Sequence, residues 1–157
     1  MRHTISVLVE NKFGVLARIA GLFSARGYNI SSLAVAQTHK PDISCMTIVV
    51  EAEDEKILEQ IKKQLNRLID VLKVTDFTKK EHVERELVLV KVDYSAMNKT
   101  KLENILDKCQ ARIIQRKGNV VTMEFTGEQS EIKQLLQELE QFGIEELVRT
   151  GKIAMGV

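Results

Sequence analysis

Ile5, Val7 and Val9 alternate with Ser6, Leu8 and Glu10, the two-residue period of a strand. Val15, Leu16, Ile19, Leu22 and Phe23 then recur at helical spacing. They predict a helix over about 15–26 with Gly27 as its left-handed stop. At 1.5 Å per residue such a helix is roughly 18 Å long. A second strand follows at 30–37, a turn at His39-Lys40-Pro41-Asp42 and a third strand at 44–51. Ile57, Leu58, Ile61, Leu65 and Leu68 mark a second helix, with Asp54 as its cap. Residues 71–77 form a fourth strand. The stretch 78–84 is polar and has no convincing period, so it reads as a linker.

The same order then repeats. Residues 87–92 form a strand. Leu102, Ile105, Leu106 and Cys109 lie on one helical face, and 111–116 and 120–126 make a hairpin around Lys117-Gly118-Asn119. Ile132, Leu135, Leu136 and Leu139 mark another helix, and 144–149 is a last strand. Each half is β-α-β-β-α-β. The chain is therefore expected to be α+β, two ferredoxin-like domains in tandem: 1–77, a linker at 78–85, and 86–157. In that topology two helices cover one face of a four-stranded sheet and leave the other face open. Leu33 and Val35 alternate with Ser32, Ala34 and Ala36, and 45–50 is apolar on both faces. Strands covered on both sides read this way. The cover is either the other half of the same chain or a second copy.

Composition narrows the function classes. The chain has 157 residues, and its net charge of +1 gives no strong pull toward nucleic acid or an anionic membrane. That charge is spread evenly, with 10 basic and 9 acidic side chains in 1–78 and 13 of each in 79–157. No apolar run is long enough to span a bilayer and no signal-peptide core precedes the first strand, so a cytoplasmic location is expected. Cys45 and Cys109 make no CxxC pair and are expected to be buried, reduced thiols. His3, His39 and His82 fall at a strand start, in a turn and in the linker, outside any nucleophile–base motif, and read as solvated surface residues. There is no P-loop, and no catalytic or metal-binding residue is expected. An RNA recognition motif would stack bases on aromatics of its first and third strands. Here 5–10, 44–51 and 87–92 have none, and 120–126 has only Phe125.

A small zwitterion fits better. Backbone N–H groups at a helix start lack intrahelical partners and attract an anion. Gly14-Val15-Leu16 could hold a carboxylate, while Asn11 and Asn29 each offer a carbonyl to an ammonium group. The bland readings are a helix cap for Asn11 and a turn residue for Asn29. The two asparagines lie at opposite ends of the helix, so one chain cannot bring both to one amino acid. Two chains about a two-fold axis can, which predicts a dimer with two equivalent interfacial sites.

At these residues the chain resembles a known family. Asn11-x-x-Gly14-Val15-Leu16 followed by Gly27-Tyr28-Asn29-Ile30 resembles the ACT domain of amino-acid-sensing proteins. Leu22-Phe23-x-x-Arg26-Gly27-Tyr28-Asn29-Ile30-x-Ser32-Leu33, Met46-Thr47-Ile48, Ile61-x-x-Gln64-Leu65, His82-Val83-Glu84-Arg85-Glu86-Leu87 and Arg149-Thr150-Gly151-Lys152-Ile153-Ala154 resemble the small regulatory subunits of acetohydroxyacid (acetolactate) synthase. The resemblance implies that the first domain is an ACT domain that dimerises side by side and binds valine between two copies. It implies an effector site at Asn11, Gly14, Val15, Leu16, Asn29, Ile30 and Ala36. It also implies a non-catalytic subunit without a cofactor of its own. Such a subunit activates a catalytic partner that carries thiamine diphosphate, FAD and Mg²⁺ for branched-chain amino acid synthesis, and makes it valine-sensitive. Three positions depart from the family pattern: Phe13 where many relatives have Pro, Cys45 where they often have a basic residue, and the run 109–115. A free-standing ACT-type sensor of another enzyme is the alternative reading.

Overall fold

The computed structural model describes residues 2–51, 55–95 and 99–157. The chain divides into two compact units, Met1–Val83 with Lys152–Val157, and Glu84–Gly151.

The first unit contains β1 (Arg2–Glu10), α1 (Val15–Ser24), β2 (Ile30–Gln37), β3 (Ile43–Glu51), α2 (Glu55–Leu65) and β4 (Val71–Asp76). Its sheet has the order β2-β3-β1-β4, antiparallel at each pairing. Period-2 alternation sends Ile5, Val7 and Val9 of β1 and Met46, Ile48 and Val50 of β3 to one face. There they meet Val15, Ile19, Leu22 and Phe23 of α1 and Leu58, Ile61 and Leu65 of α2. The apolar stripe of each helix thus closes the core that the alternation opens. Asp54, the expected cap of α2, lies outside the described residues.

α1 ends earlier than its apolar spacing suggests, at Ser24, but its stop is at the expected residue. Gly27 has φ 69°, its N–H donates to the Ser24 carbonyl at 3.1 Å and the Tyr28 N–H to the Phe23 carbonyl at 3.1 Å. This is a Schellman motif, which needs a left-handed residue and favours glycine.

The second unit contains most of β5 (His82–Asp93), then α3 (Lys99–Cys109), β6 (Arg112–Lys117), β7 (Val120–Gly127), α4 (Gln129–Leu139), a 3-10 turn at Glu140–Phe142 and β8 (Ile144–Arg149). Its strands run β6-β7-β5-β8. Val88, Val90 and Val92 of β5 pack with Leu102, Ile105 and Leu106 of α3 and Ile132, Leu135 and Leu139 of α4. Phe125, the aromatic considered for base stacking, is buried in this core and is not on the open face.

Two boundaries differ from the pattern. The stretch expected as linker is partly strand, because β5 starts at His82, whose ring stacks on Phe77 with centroids 5.1 Å apart. The C-terminal residues 152–157, expected in the second domain, group with the first unit and carry a short strand, β9 (Ile153–Gly156). The Lys152 N–H donates to Ser32 Oγ at 3.0 Å. Ser32, like Thr47 and Val49, lies on the sheet face away from the helices. Thr47 and Val49 are only 3% and 4% exposed. What stays exposed is the C-terminal part of the edge strand β2: Val35, Ala36 and Gln37.

Candidate functional site

The loop between β1 and α1 is held at three points. The Asn11 N–H donates to the Asp42 carbonyl at 2.7 Å, tying it to the β2–β3 turn. The Glu10 N–H donates to the Asp70 carbonyl at 2.9 Å, tying it to the segment before β4. The Asp70 carboxylate, largely buried, pairs with Arg18 in the second turn of α1. The sequence reading missed Arg18 and Asp70. They are 52 residues apart, and only the fold brings them together.

Within this frame Asn11 donates through Nδ2 to the Pro41 carbonyl at 2.9 Å. That bond uses the amide nitrogen, and Oδ1 keeps its acceptor capacity on an exposed residue. Gly14 has φ 80° and ψ −6°, a left-handed residue immediately before α1. A side chain there would be strained by the backbone, although a Cβ would meet nothing within 4 Å. The helix start has no side-chain cap and no acidic residue in its first turn. Among the described residues no acceptor takes the N–H of Gly14, Leu16 or Ala17. The Val15 N–H makes a long bond to the Lys12 carbonyl at 3.4 Å, and the Val15 side chain is in the core. Leu16 and Phe13 are exposed beside these donors. The result is an open, positively polarised helix end with an amide oxygen and apolar side chains next to it.

The remaining site residues lie elsewhere. Asn29 and Ile30 stand beyond the far end of α1, where Ile30 pairs with Val50 at the end of β3. The ten residues of α1 separate them from Gly14, about 15 Å of helix. Asn29 is exposed, and its carbonyl accepts from the Glu51 N–H at 3.4 Å. Ala36 returns to the sheet end occupied by Asn11, opposite Cys45, which in turn opposes Leu8. It points to the face away from the helices, whereas Val35, opposite the core residue Met46, is on the helix side and exposed. The single chain therefore brings together Asn11, Gly14, Val15 and Leu16, and does not bring Asn29 to them.

Over residues 5–73 the chain matches the AHAS small subunit-like ACT domain family, and over residues 85–157 the family described as the small subunit of acetolactate synthase. It is 46% identical to the probable acetolactate synthase small subunit of Archaeoglobus fulgidus, across 99% of this chain and 96% of that protein. The chain belongs to the acetolactate synthase small subunit family. The acetolactate synthase small subunit of Mycobacterium bovis is likewise 46% identical across 98% of this chain and 90% of that protein. The crystal structure of the acetolactate synthase small subunit from Thermotoga maritima superposes with a TM-score of 0.91 at 36% identity, covering 100% of this chain and 98% of that one. Two ferredoxin-like units in tandem, the first an ACT domain, are thus the shared fold.

In this small subunit the other reactive groups are engaged structurally. His3, expected on the surface, is 2% exposed and its Nδ1 is 3.1 Å from Thr78 Oγ1. Its strand is covered where the isolated pattern showed only a strand start. Cys45 and Cys109 are free and half-buried, not fully buried as expected. Burial raises the Cys109 thiol above its usual range, with the Glu138 carboxylate adding to the effect. Among the described residues no group of three or more His, Cys, Asp or Glu side chains could hold a metal ion. No helix among them is long and apolar enough to cross a membrane.

Proposed function

We propose that this chain is the regulatory subunit of an acetolactate synthase, a non-catalytic cytoplasmic protein. It binds the catalytic subunit, raises its activity and makes it sensitive to valine. The thiamine diphosphate, FAD and Mg²⁺ of the reaction belong to that partner, and this chain needs no cofactor. The observation that carries the reading is the uncapped start of α1 at the left-handed Gly14, a few residues after the exposed Asn11 amide. Membership of the small subunit family supports acetolactate synthase as the enzyme it serves.

Valine sits between two ACT units in this account. One copy supplies the N–H groups of Gly14 and Leu16 to the carboxylate and Asn11 Oδ1 to the ammonium group. The second copy supplies Asn29 and the start of β2 at Ile30. The exposed β2 edges, Val35 to Gln37, meet about the two-fold axis, with Ala36 packing on the sheet face away from the helices. Val15 contributes backbone only, since its side chain fills the core.

Modest energies are enough. Binding near ~0.1 mM corresponds to about 5–6 kcal/mol. A coupling of roughly 1–3 kcal/mol changes the partner's state by about 5- to 150-fold. A few charge-assisted hydrogen bonds at an interface supply that. One methylene is worth only ~1–3 kcal/mol of discrimination, so some response to leucine and isoleucine is expected. The test is calorimetric titration of valine into the chain and its Asn29→Ala variant. The variant should lose affinity while unfolding at the same temperature, because the described structure gives the Asn29 side chain no hydrogen bond to lose. Equal affinity in the two proteins contradicts the shared site.

A further inference from the structure

Lys12 to Val15 form a tight turn ahead of α1. The Val15 N–H donates to the Lys12 carbonyl at 3.4 Å, and Gly14, with φ 80° and ψ −6°, has the angles of the third residue of a type II turn. Phe13 is the second residue of that turn, the corner position at which proline is favoured. The turn therefore has no need of an aromatic side chain there, and the core does not use it. Phe13 is 105% exposed, the most exposed large apolar side chain among the described residues, whereas Phe23, Phe77, Phe125 and Phe142 are all buried. A phenyl ring held in water on a loop forgoes the burial that keeps the other four inside.

The open start of α1 lies next to this ring in the chain. Among the described residues no acceptor takes the N–H of Phe13 itself, of Gly14 or of Leu16. An amino acid with its carboxylate on the Gly14 and Leu16 N–H groups and its ammonium group on Asn11 has its Cα held between residue 11 and residues 14–16. Phe13 stands between those two anchors. Leu16, 43% exposed, is the other large apolar side chain beside them. The anchors meet groups that every amino acid carries, so only the apolar walls can tell one amino acid from another.

We infer that Phe13 is the specificity-determining residue of the effector site: its ring closes over the side chain of the bound amino acid and selects a branched aliphatic one. The inference rests on the valine reading above and concerns selection, not the anchoring of the zwitterion. A phenylalanine side chain turns about two χ angles only, so moving the ring from solvent onto a ligand orders little. Valine and threonine have one shape and differ by a methyl group against a hydroxyl. An apolar wall separates such a pair by about 100-fold.

The test is calorimetric titration of valine and of threonine into the chain and its Phe13→Ala and Phe13→Pro variants. The wild-type chain should prefer valine. Phe13→Ala should lower the valine-to-threonine affinity ratio roughly tenfold, through weaker valine binding. Phe13→Pro suits the corner of the turn and removes the ring, so its ratio should fall equally, which separates loss of the ring from a disturbed loop. Asn29→Ala, a change at an anchor that both ligands share, should lower both affinities together and leave the ratio unchanged. A Phe13→Ala chain that keeps the wild-type ratio, or that loses both ligands alike as Asn29→Ala does, overturns the inference. So does one that binds both amino acids as wild type but no longer activates the catalytic subunit, since Phe13 then meets that partner instead. A wild-type chain that binds neither amino acid contradicts the effector site itself, a failure distinct from that of Phe13.

Discussion

α1 and α4 begin in opposite ways. α1 starts at a left-handed Gly14 with no side-chain cap and no acid in its first turn. At the start of α4 the Glu128 N–H donates to the Glu131 carboxylate at 2.7 Å, an acid within the first turn. The same β-α-β-β-α-β path thus presents a helix end left open to an outside anion in the first unit and one supplied with its own carboxylate in the second. The charged partners differ as well. In the second unit Arg149 grips Glu86, only 7% exposed, with two hydrogen bonds. In the first, Arg18 and Asp70 position the loop that presents Asn11. In the first unit these polar groups hold the loop before α1, and in the second they close the unit's own sheet.

Arg149→Met leaves the Glu86 carboxylate buried without its donor. It should destabilise the chain by about 1.5–3 kcal/mol, read by urea unfolding, with little change in valine affinity. Gly14→Ala should differ in its effect on the ligand, not in its effect on stability. It forces a side chain into the left-handed region at a cost of roughly 1–2 kcal/mol, and it should also weaken valine binding, read by calorimetry. If the Gly14 variant binds normally, α1 is not the valine site.

The helix stops share one geometry but not one residue type. α3 ends with the same two bonds as α1, Ala111 N–H to the Leu106 carbonyl at 2.9 Å and Gln110 N–H to the Asp107 carbonyl at 3.3 Å. Its left-handed residue is Gln110, with φ 57°. Gln110→Gly should therefore stabilise the chain by about 1 kcal/mol, seen as a rise in the unfolding temperature. Gly27→Gln should lower it by a similar amount.

The smallest effect concerns pH. Burial alone would raise the Asp76 carboxyl. It is outweighed by hydrogen bonds from the Thr78 hydroxyl and N–H and by Lys62, so its pKa is held below the usual value. The folded state then binds fewer protons than the unfolded one below about pH 4, and stability falls as pH falls through the folded value. Above that range the contribution is complete. Asp76→Asn should flatten this acid limb, measured by urea unfolding between about pH 2 and 5.

Much of the fold was legible because the apolar period changes cleanly from 2 to 3.6 along each half. The strands at Ile30–Gln37 and Ile144–Arg149 have the expected limits. The start of β5 was not legible, since His82-Val83-Glu84-Arg85-Glu86 puts a charge at an inward position. Glu86 is tolerated there only because Arg149, 63 residues on, completes the pair. β9 is four residues long and ends in glycine, too short for its period to register. At the site, Asn11 and Gly14 are readable as a helix start. The clamp by Arg18, Asp70 and Asp42 is not, because its contacts are non-local. Half of the proposed valine site belongs to another copy, and no period along one chain encodes which edges meet.

Acetolactate formation from pyruvate by the catalytic subunit of the same organism decides whether this chain is a valine-responsive regulatory subunit. It is assayed alone, with this chain, and with this chain plus valine. Activation by the chain, reversal by valine, and loss of that reversal in Asn29→Ala with activation retained are expected. Activation that valine never reverses, or no activation at all, would contradict that role.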